Sequence, residues 1–117
     1  MLRLVKLYHW NTTSYSHHHA TDELYERMNE KMDRFTEVYM GKDGKRIGQW
    51  NEDMRRTFGD CASSSSSKCF AKTAHTFREF LIHLDHCLDP TRDSDLLNIR
   101  DDLLADVNQF LFLYTLR

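Results

Sequence analysis

An all-α protein, a single bundle of helices around one apolar core, is what this sequence predicts, on three observations. Four segments repeat apolar residues at three- and four-residue intervals, the period of a helix face. One Pro and four Gly among 117 residues are too few for a turn-dense β fold. The breaking residues that do occur, Asn11-Thr12-Thr13, Gly41 and Asp89-Pro90, fall between those segments. At 14.0 kDa the chain has room for one domain, 1–117.

Leu4, Val5, Leu7 and Tyr8 give a short first helix from Leu2 to about Thr13, roughly 18 Å long at 1.5 Å per residue. So short a helix is either a stub or the remnant of one begun upstream of Met1. Ser14 or Ser16 can cap a second helix, with Asp22, Glu23 and Glu26 early in it, where the helix dipole favours acid. It is expected to run to about Met40 and stop at Gly41, with Leu24, Met28, Met32, Phe35 and Tyr39 as its apolar stripe. A third helix, about Lys68 to Leu88, carries Phe70, Ala74, Phe77, Leu81, Leu84 and Leu88 as a packing seam and ends at Asp89-Pro90. Asp93 or Ser94 then caps a fourth helix to the chain end, with Leu96, Ile99, Leu103, Val107, Phe110 and Tyr114 as its seam, widened by Leu104 and Leu111.

Between the second and third helices, residues 41–67 read as a solvated, flexible connection. They hold Gly44, Gly48, Gly59, a basic patch of Lys42, Lys45 and Arg46, and the run Ser63 to Ser67, with a helical turn or two around Asn51 to Phe58. The whole is a helical bundle with one long connection.

Charge excludes one class of function. A formal net charge of −2 gives no field to hold polyanions, so nucleic-acid binding is not expected. No apolar run approaches the ~20 residues of a membrane span, and MLRLVKLYHW is too short and interrupted for a signal peptide. Cys61, Cys69 and Cys87 form no CxxC or zinc spacing, so a reducing, cytoplasmic setting is the default. There is no Gly-rich phosphate loop, no Gly-x-Ser-x-Gly and no cysteine nucleophile arrangement, so hydrolase and nucleotide-binding readings have no motif.

The chemistry-bearing pattern is on the second helix. Measured from His18 at 100° per residue, Asn29 lies about 20° round the axis, Asp22 about 40°, Asp33 about 60° and Glu37 about 100°. These polar groups share one face, turned away from the apolar stripe. His18 and Asp33 are also about 22 Å apart along the axis, so one chain cannot place both on one ion. Two copies packed antiparallel about a two-fold axis would bring His18 of one to Asp33 and Glu37 of the other, giving two equivalent sites. Imidazole with two carboxylates suits a hard or borderline divalent cation such as Fe(II). The same residues also suit a plainly solvated helix face.

His9-Trp10-Asn11, then His18, then fourteen residues to Asp33 and three more to Glu37 resembles the ferroxidase signature of the Dps-type mini-ferritins. In these, imidazoles of one subunit meet an Asp-x-x-x-Glu of its two-fold mate. Still closer is the similarity to short ferritin-like proteins of large DNA viruses and phages, with a comparable His-Trp, His, Asp/Glu order and an Ile-Arg-Asp-Asp-rich last helix. The resemblance implies a ferritin-like four-helix bundle with a short first helix and a long crossover between helices two and three. It implies iron at an intersubunit site, in a two-fold dimer or larger shell. It also implies His9, His18, Asp33 and Glu37 as metal ligands, with Asp22 beside them and Trp10 packed next to the site. His9 and His18 are separated by only eight residues, fewer than is usual there, and the basic DNA-binding tail of some members is absent. His17 and His19 stay open as alternative ligands; helical phase favours His18.

Other clusters carry less. Asp102 and Asp106 could join His9 and Asp22 in a centre within one subunit, or form a solvated acidic face. Glu79, His83 and His86 read as surface, and Tyr8, Trp10, Phe77, Phe80, Phe110, Phe112 and Tyr114 as core. The expected function is therefore Fe(II) oxidation or sequestration. The alternative is a catalytically inactive ferritin-like structural protein, such as a virus-particle component.

Overall fold

The computed structural model describes residues 1–44 and 67–116. Four helices account for most of them: α1 (Leu2–Asn11), α2 (Tyr15–Asp43), α3 (Ser67–His83), which tightens into a 3-10 turn at Leu84–His86, and α4 (Ser94–Tyr114). The all-helical bundle is as expected. The helical turn expected around Asn51 to Phe58 and the serines before Ser67 lie outside the described residues, whereas Gly41 to Asp43 belong to α2 and Ser67 to α3.

Helix α4 packs along both α2 and α3, and α1 lies on α2 and touches α3. Directions follow from cross-helix pairs. Arg27 donates to Gln109 at 2.8 Å and Lys42 to Asp95 at 3.0 Å, so α2 and α4 are antiparallel. Phe70 meets Phe110 edge-on at 5.7 Å while Arg100 donates to the Leu81 carbonyl at 2.9 Å, so α3 and α4 are antiparallel too. It follows that α2 and α3 point the same way.

The seams read from periodicity form the core. Leu24 and Met28 of α2, Phe70, Phe77 and Leu81 of α3, and Leu103, Val107 and Phe110 of α4 enclose Val5 and Tyr8 of α1. Each fully buried side chain of this size contributes roughly 1.5–3 kcal/mol. The α2 stripe fades toward its far end, where Met32 and Phe35 are half-buried and Tyr39 is exposed. Trp10, Phe80 and Phe112 are 69%, 54% and 64% exposed, which corrects their expected place in the core. Phe80 is one position from Leu81, about 100° off the seam, and Trp10 and Phe112 are two positions past Tyr8 and Phe110, about 200° round from them.

The ends are set locally. Thr12 takes an extended conformation after α1, and the Ser14 hydroxyl caps α2 by accepting from the His17 N–H at 3.3 Å. Gly41 does not stop α2. It costs about 1 kcal/mol against Ala but remains helical, and the left-handed cap comes at Gly44, φ 71°. Asp93 stands at the α4 cap position, yet its carboxylate accepts from the Asp89 N–H at 2.9 Å instead. Asp89 in turn accepts from the N–H groups of Arg92 and Thr91, and these bonds hold its carboxyl below the usual aspartate range.

Cys69 is disulfide-bonded and Cys87 carries an exposed free thiol. Three unpatterned cysteines do not announce a bridge, because pairing depends on proximity in space rather than spacing along the chain. Among the described residues no helix is long and apolar enough to cross a membrane.

Candidate functional site

The three-residue turn after α1 folds it back on the first turns of α2, so consecutive residues of one helix meet consecutive residues of the other. Two rungs result. In the outer rung His9 and His18 stack, ring centroids 3.8 Å apart and planes 24° off parallel. His9 Nδ1 lies 2.9 Å from the His18 carbonyl, and His18 Nδ1 lies 3.0 Å from the His9 carbonyl. A carbonyl only accepts, so each Nδ1 carries its hydrogen, and in the neutral rings each Nε2 keeps its lone pair. Thr21, fully buried, steadies this rung. Its hydroxyl donates to the His17 carbonyl at 2.7 Å and accepts from His9 Nδ1 at 3.2 Å.

His9 is buried, with 9% exposure, and His18 is open to solvent. His9 Nε2 faces Asp22 Oδ1 at 4.0 Å, and Lys6 reaches the same oxygen at 3.4 Å. Asp22 thus stands beside the His9 imidazole. Asp33 and Glu37 are exposed further along the same face of α2, about 22 Å and about 28 Å up the helix from His18. The chain by itself does not bring them to the histidines. Among the described residues no three His, Cys, Asp and Glu side chains converge to hold a metal ion.

In the inner rung, Tyr8 OH lies 2.9 Å from His17 Nδ1, and His17 Nε2 lies 2.9 Å from the Tyr114 carbonyl. The carbonyl requires the hydrogen on Nε2, so Nδ1 of the neutral ring accepts from the Tyr8 phenol. The Tyr114 hydroxyl donates to the Tyr8 oxygen at 3.2 Å. Both nitrogens of His17 are therefore engaged inside the bundle. His19 is solvent-exposed, with Nε2 3.6 Å from Glu23. Helical phase singled out His18 among the three, and it is His18 whose Nε2 is uncommitted beside His9.

The centre envisaged within one subunit is not formed. Asp106 is gripped by Lys31 and Arg27 on the opposite side of α2 from His9, and Asp102 is exposed. Lys31 and Arg27 sit about 180° to 220° round α2 from His18, which keeps Asp106 away from the imidazoles. His83 and His86 are exposed, rings 5.4 Å apart, and Glu79 is exposed beside Arg78. Trp10 does not pack beside the site within the chain.

Sequence reasoning does not point to Thr21, Tyr8 or Tyr114 as parts of this region, and it holds His17 only as an alternative ligand. One signal was available. Tyr8-His9 and His17-His18 are two adjacent pairs on helices joined by a tight turn, a pattern that makes two cross-helix rungs.

A family model matches residues 9–116, opening at His9 and so taking in the His9–His18 rung and the acidic face, with Tyr8 just outside it. The chain belongs to this family. It is DUF5856, a family of unknown function. No curated protein and no solved structure matches the chain. The DUF5856 span leaves out most of α1 and includes its last three residues, His9, Trp10 and Asn11.

Proposed function

We propose that this DUF5856 member is a ferritin-like, iron-binding protein that oxidises or sequesters Fe(II) at a site shared by two copies of the chain. The observation that carries this reading is the outer rung. His9 and His18 are each fixed in one tautomer by the other's backbone carbonyl, with Nε2 left free. Locking Nδ1 to a carbonyl is how proteins orient metal-ligating histidines. Asp22 supplies a nearby carboxylate, and the acidic pair Asp33 and Glu37 lies on the same outward face, available to a partner subunit.

Helix direction supports the ferritin-like reading. With α1 up, α2 and α3 both down and α4 up, the two middle helices are parallel, as in the one-crossover arrangement of ferritin-like folds. Neutral imidazole and carboxylate oxygen together fit Fe(II) as substrate. The donors of this chain hold the ion, with His9 oriented through its Nδ1 and Asp22 placed to hold a bridging water.

Anaerobic Fe(II) titration followed by oxygen or peroxide, read by ultraviolet absorbance, tests the proposal together with the protein's mass in solution. Saturable binding near one ion per chain, lost in Asp33→Ala/Glu37→Ala without change of mass, is the expected result. Metal-independent assembly with no bound iron would instead favour an inactive structural protein.

A further inference from the structure

We infer that Tyr8 is a redox-active tyrosine, a one-electron donor whose phenol proton is taken by His17. The ring is 6% exposed and stacks on Phe70 at 4.4 Å, so a radical there would be shielded from solvent. The hydrogen bond to His17 Nδ1, 2.9 Å long, is aimed at a lone pair that the Tyr114 carbonyl keeps open by holding the hydrogen on Nε2. The Tyr114 hydroxyl donates to the same phenol oxygen and remains a donor to it after oxidation. His17 also stacks on Tyr114 at 4.3 Å, which fixes the imidazole in place. An electron can therefore leave Tyr8 while the proton moves one hydrogen-bond length, with no charge released into the core beyond the imidazolium beside it.

Rungs one residue apart give the pair a use, which rests on the iron reading above. Hydrogen peroxide needs two electrons and two protons to become two waters. One Fe(II) supplies one electron and becomes Fe(III). Tyr8 supplies the second, its O–H bond breaking as the proton binds His17 Nδ1, and solvent supplies the two protons consumed. No hydroxyl radical is released. A second Fe(II) then returns an electron to the tyrosyl oxygen, and His17 returns the proton.

The test uses the full chain with Tyr15→Phe and Tyr39→Phe, which removes two exposed competing phenols. In the first arm, without metal, flash-generated tris(bipyridyl)ruthenium(III) is the oxidant, and the tyrosyl radical is read by its optical absorption and EPR spectrum. A long-lived radical missing in Tyr8→Phe is expected. His17→Gln keeps an acceptor for Tyr8 and a donor for the Tyr114 carbonyl but has no basic nitrogen. It should slow the Tyr8 component at least about tenfold, within what a positioned base contributes. An unchanged rate in His17→Gln, or a signal that survives Tyr8→Phe, overturns the inference. In the second arm Fe(II) and peroxide are mixed and frozen for EPR, with a spin trap for hydroxyl radical. The Tyr8 radical should form, vanish in Asp33→Ala/Glu37→Ala, and be replaced by trapped hydroxyl radical in Tyr8→Phe. A normal first arm with no Tyr8 radical in the second counts against the iron reading rather than against the Tyr8–His17 pair.

Discussion

At the end where α1 packs, four helices close around Tyr8, Phe70 and Phe110, and polar contacts there are made by histidines, a buried threonine and tyrosine hydroxyls. At the far end α2, α3 and α4 meet without α1 and are joined by charge. Lys42 bonds Asp95 and the Arg92 carbonyl, and Arg100 bonds Asp85, Asp101 and the Leu81 carbonyl. The difference follows from length. Ten residues of α1 reach about 15 Å and 29 of α2 about 44 Å, so α1 covers roughly a third of its neighbour. From Asn29 to Gly44 no described side chain of α2 is fully buried. The uncommitted imidazoles and the well-covered part of α2 are therefore at one end, while at the other Leu81, Leu96 and Ile99 of α3 and α4 stay buried beneath the charged clamp.

The largest effect that breaks this contrast is expected from Met28→Ala. The side chain is fully buried, and its loss should cost about 2–5 kcal/mol in chemical denaturation. Phe35→Ala, at a half-buried site on the same stripe, should cost clearly less. Equal losses would mean that the far end is as well covered as the near one.

Arg100→Met comes next. The guanidinium is 7% exposed and caps α3 through the Leu81 carbonyl. Burial alone would lower its pKa, but the bonds and charges of Asp85 and Asp101 outweigh that and raise it. Since both carboxylates are more than half exposed, most of the expected loss of about 1–3 kcal/mol belongs to the uncapped carbonyl. Loss of helical order near Leu81, with the Tyr8–His17 rung intact by NMR, is the check.

Ser14→Ala removes the α2 cap at the near end and should cost about 1 kcal/mol in the same denaturation experiment.

The smallest effect is on pH dependence, and it falls on the far end. Lys42 lowers the Asp95 carboxyl, and the Arg92 and Thr91 amides lower that of Asp89. A lowered carboxylate stabilises the fold above its ordinary value and loses that contribution as pH falls through the lowered one. Below about pH 4, amides of the α3–α4 turn should therefore exchange before those of the α1–α2 turn. Lys42 is raised, chiefly by its bond to Asp95, so its contribution persists at neutral pH and fades only as pH climbs through that raised value.

Much of the fold was legible because three seams are long and regular. Phe70, Ala74, Phe77 and Leu81 are buried as their spacing requires, as are Leu96, Ile99, Leu103, Val107 and Phe110. Periodicity overstated the α2 stripe at Tyr39, because a repeat shows which face is apolar and not whether a neighbour reaches it. The stop expected at Gly41 does not occur, for a similar reason, since glycine permits a left-handed cap without requiring one. At the candidate site, helical phase distinguished His18 from His17 and His19, and the first-helix pattern singled out His9. The reciprocal Nδ1 bonds were not legible, because they depend on the register between α1 and α2 that the Thr12–Ser14 turn sets. Nor could periodicity show that Asp106 would be held by Lys31 and Arg27.

Complementation between two defective chains tests the shared site most directly. His9→Ala/His18→Ala lacks the imidazoles and Asp33→Ala/Glu37→Ala lacks the carboxylates, so neither homodimer should bind Fe(II) specifically. Co-expressed in equal amounts, the two chains form hetero-pairs with one whole site and one empty one, restoring about a quarter of the wild-type sites when pairing is random. Anaerobic Fe(II) titration of the co-purified mixture reads that fraction directly. Recovery near a quarter is the predicted result, and a mixture that binds no more Fe(II) than its two parents would contradict a site built from two copies of the chain.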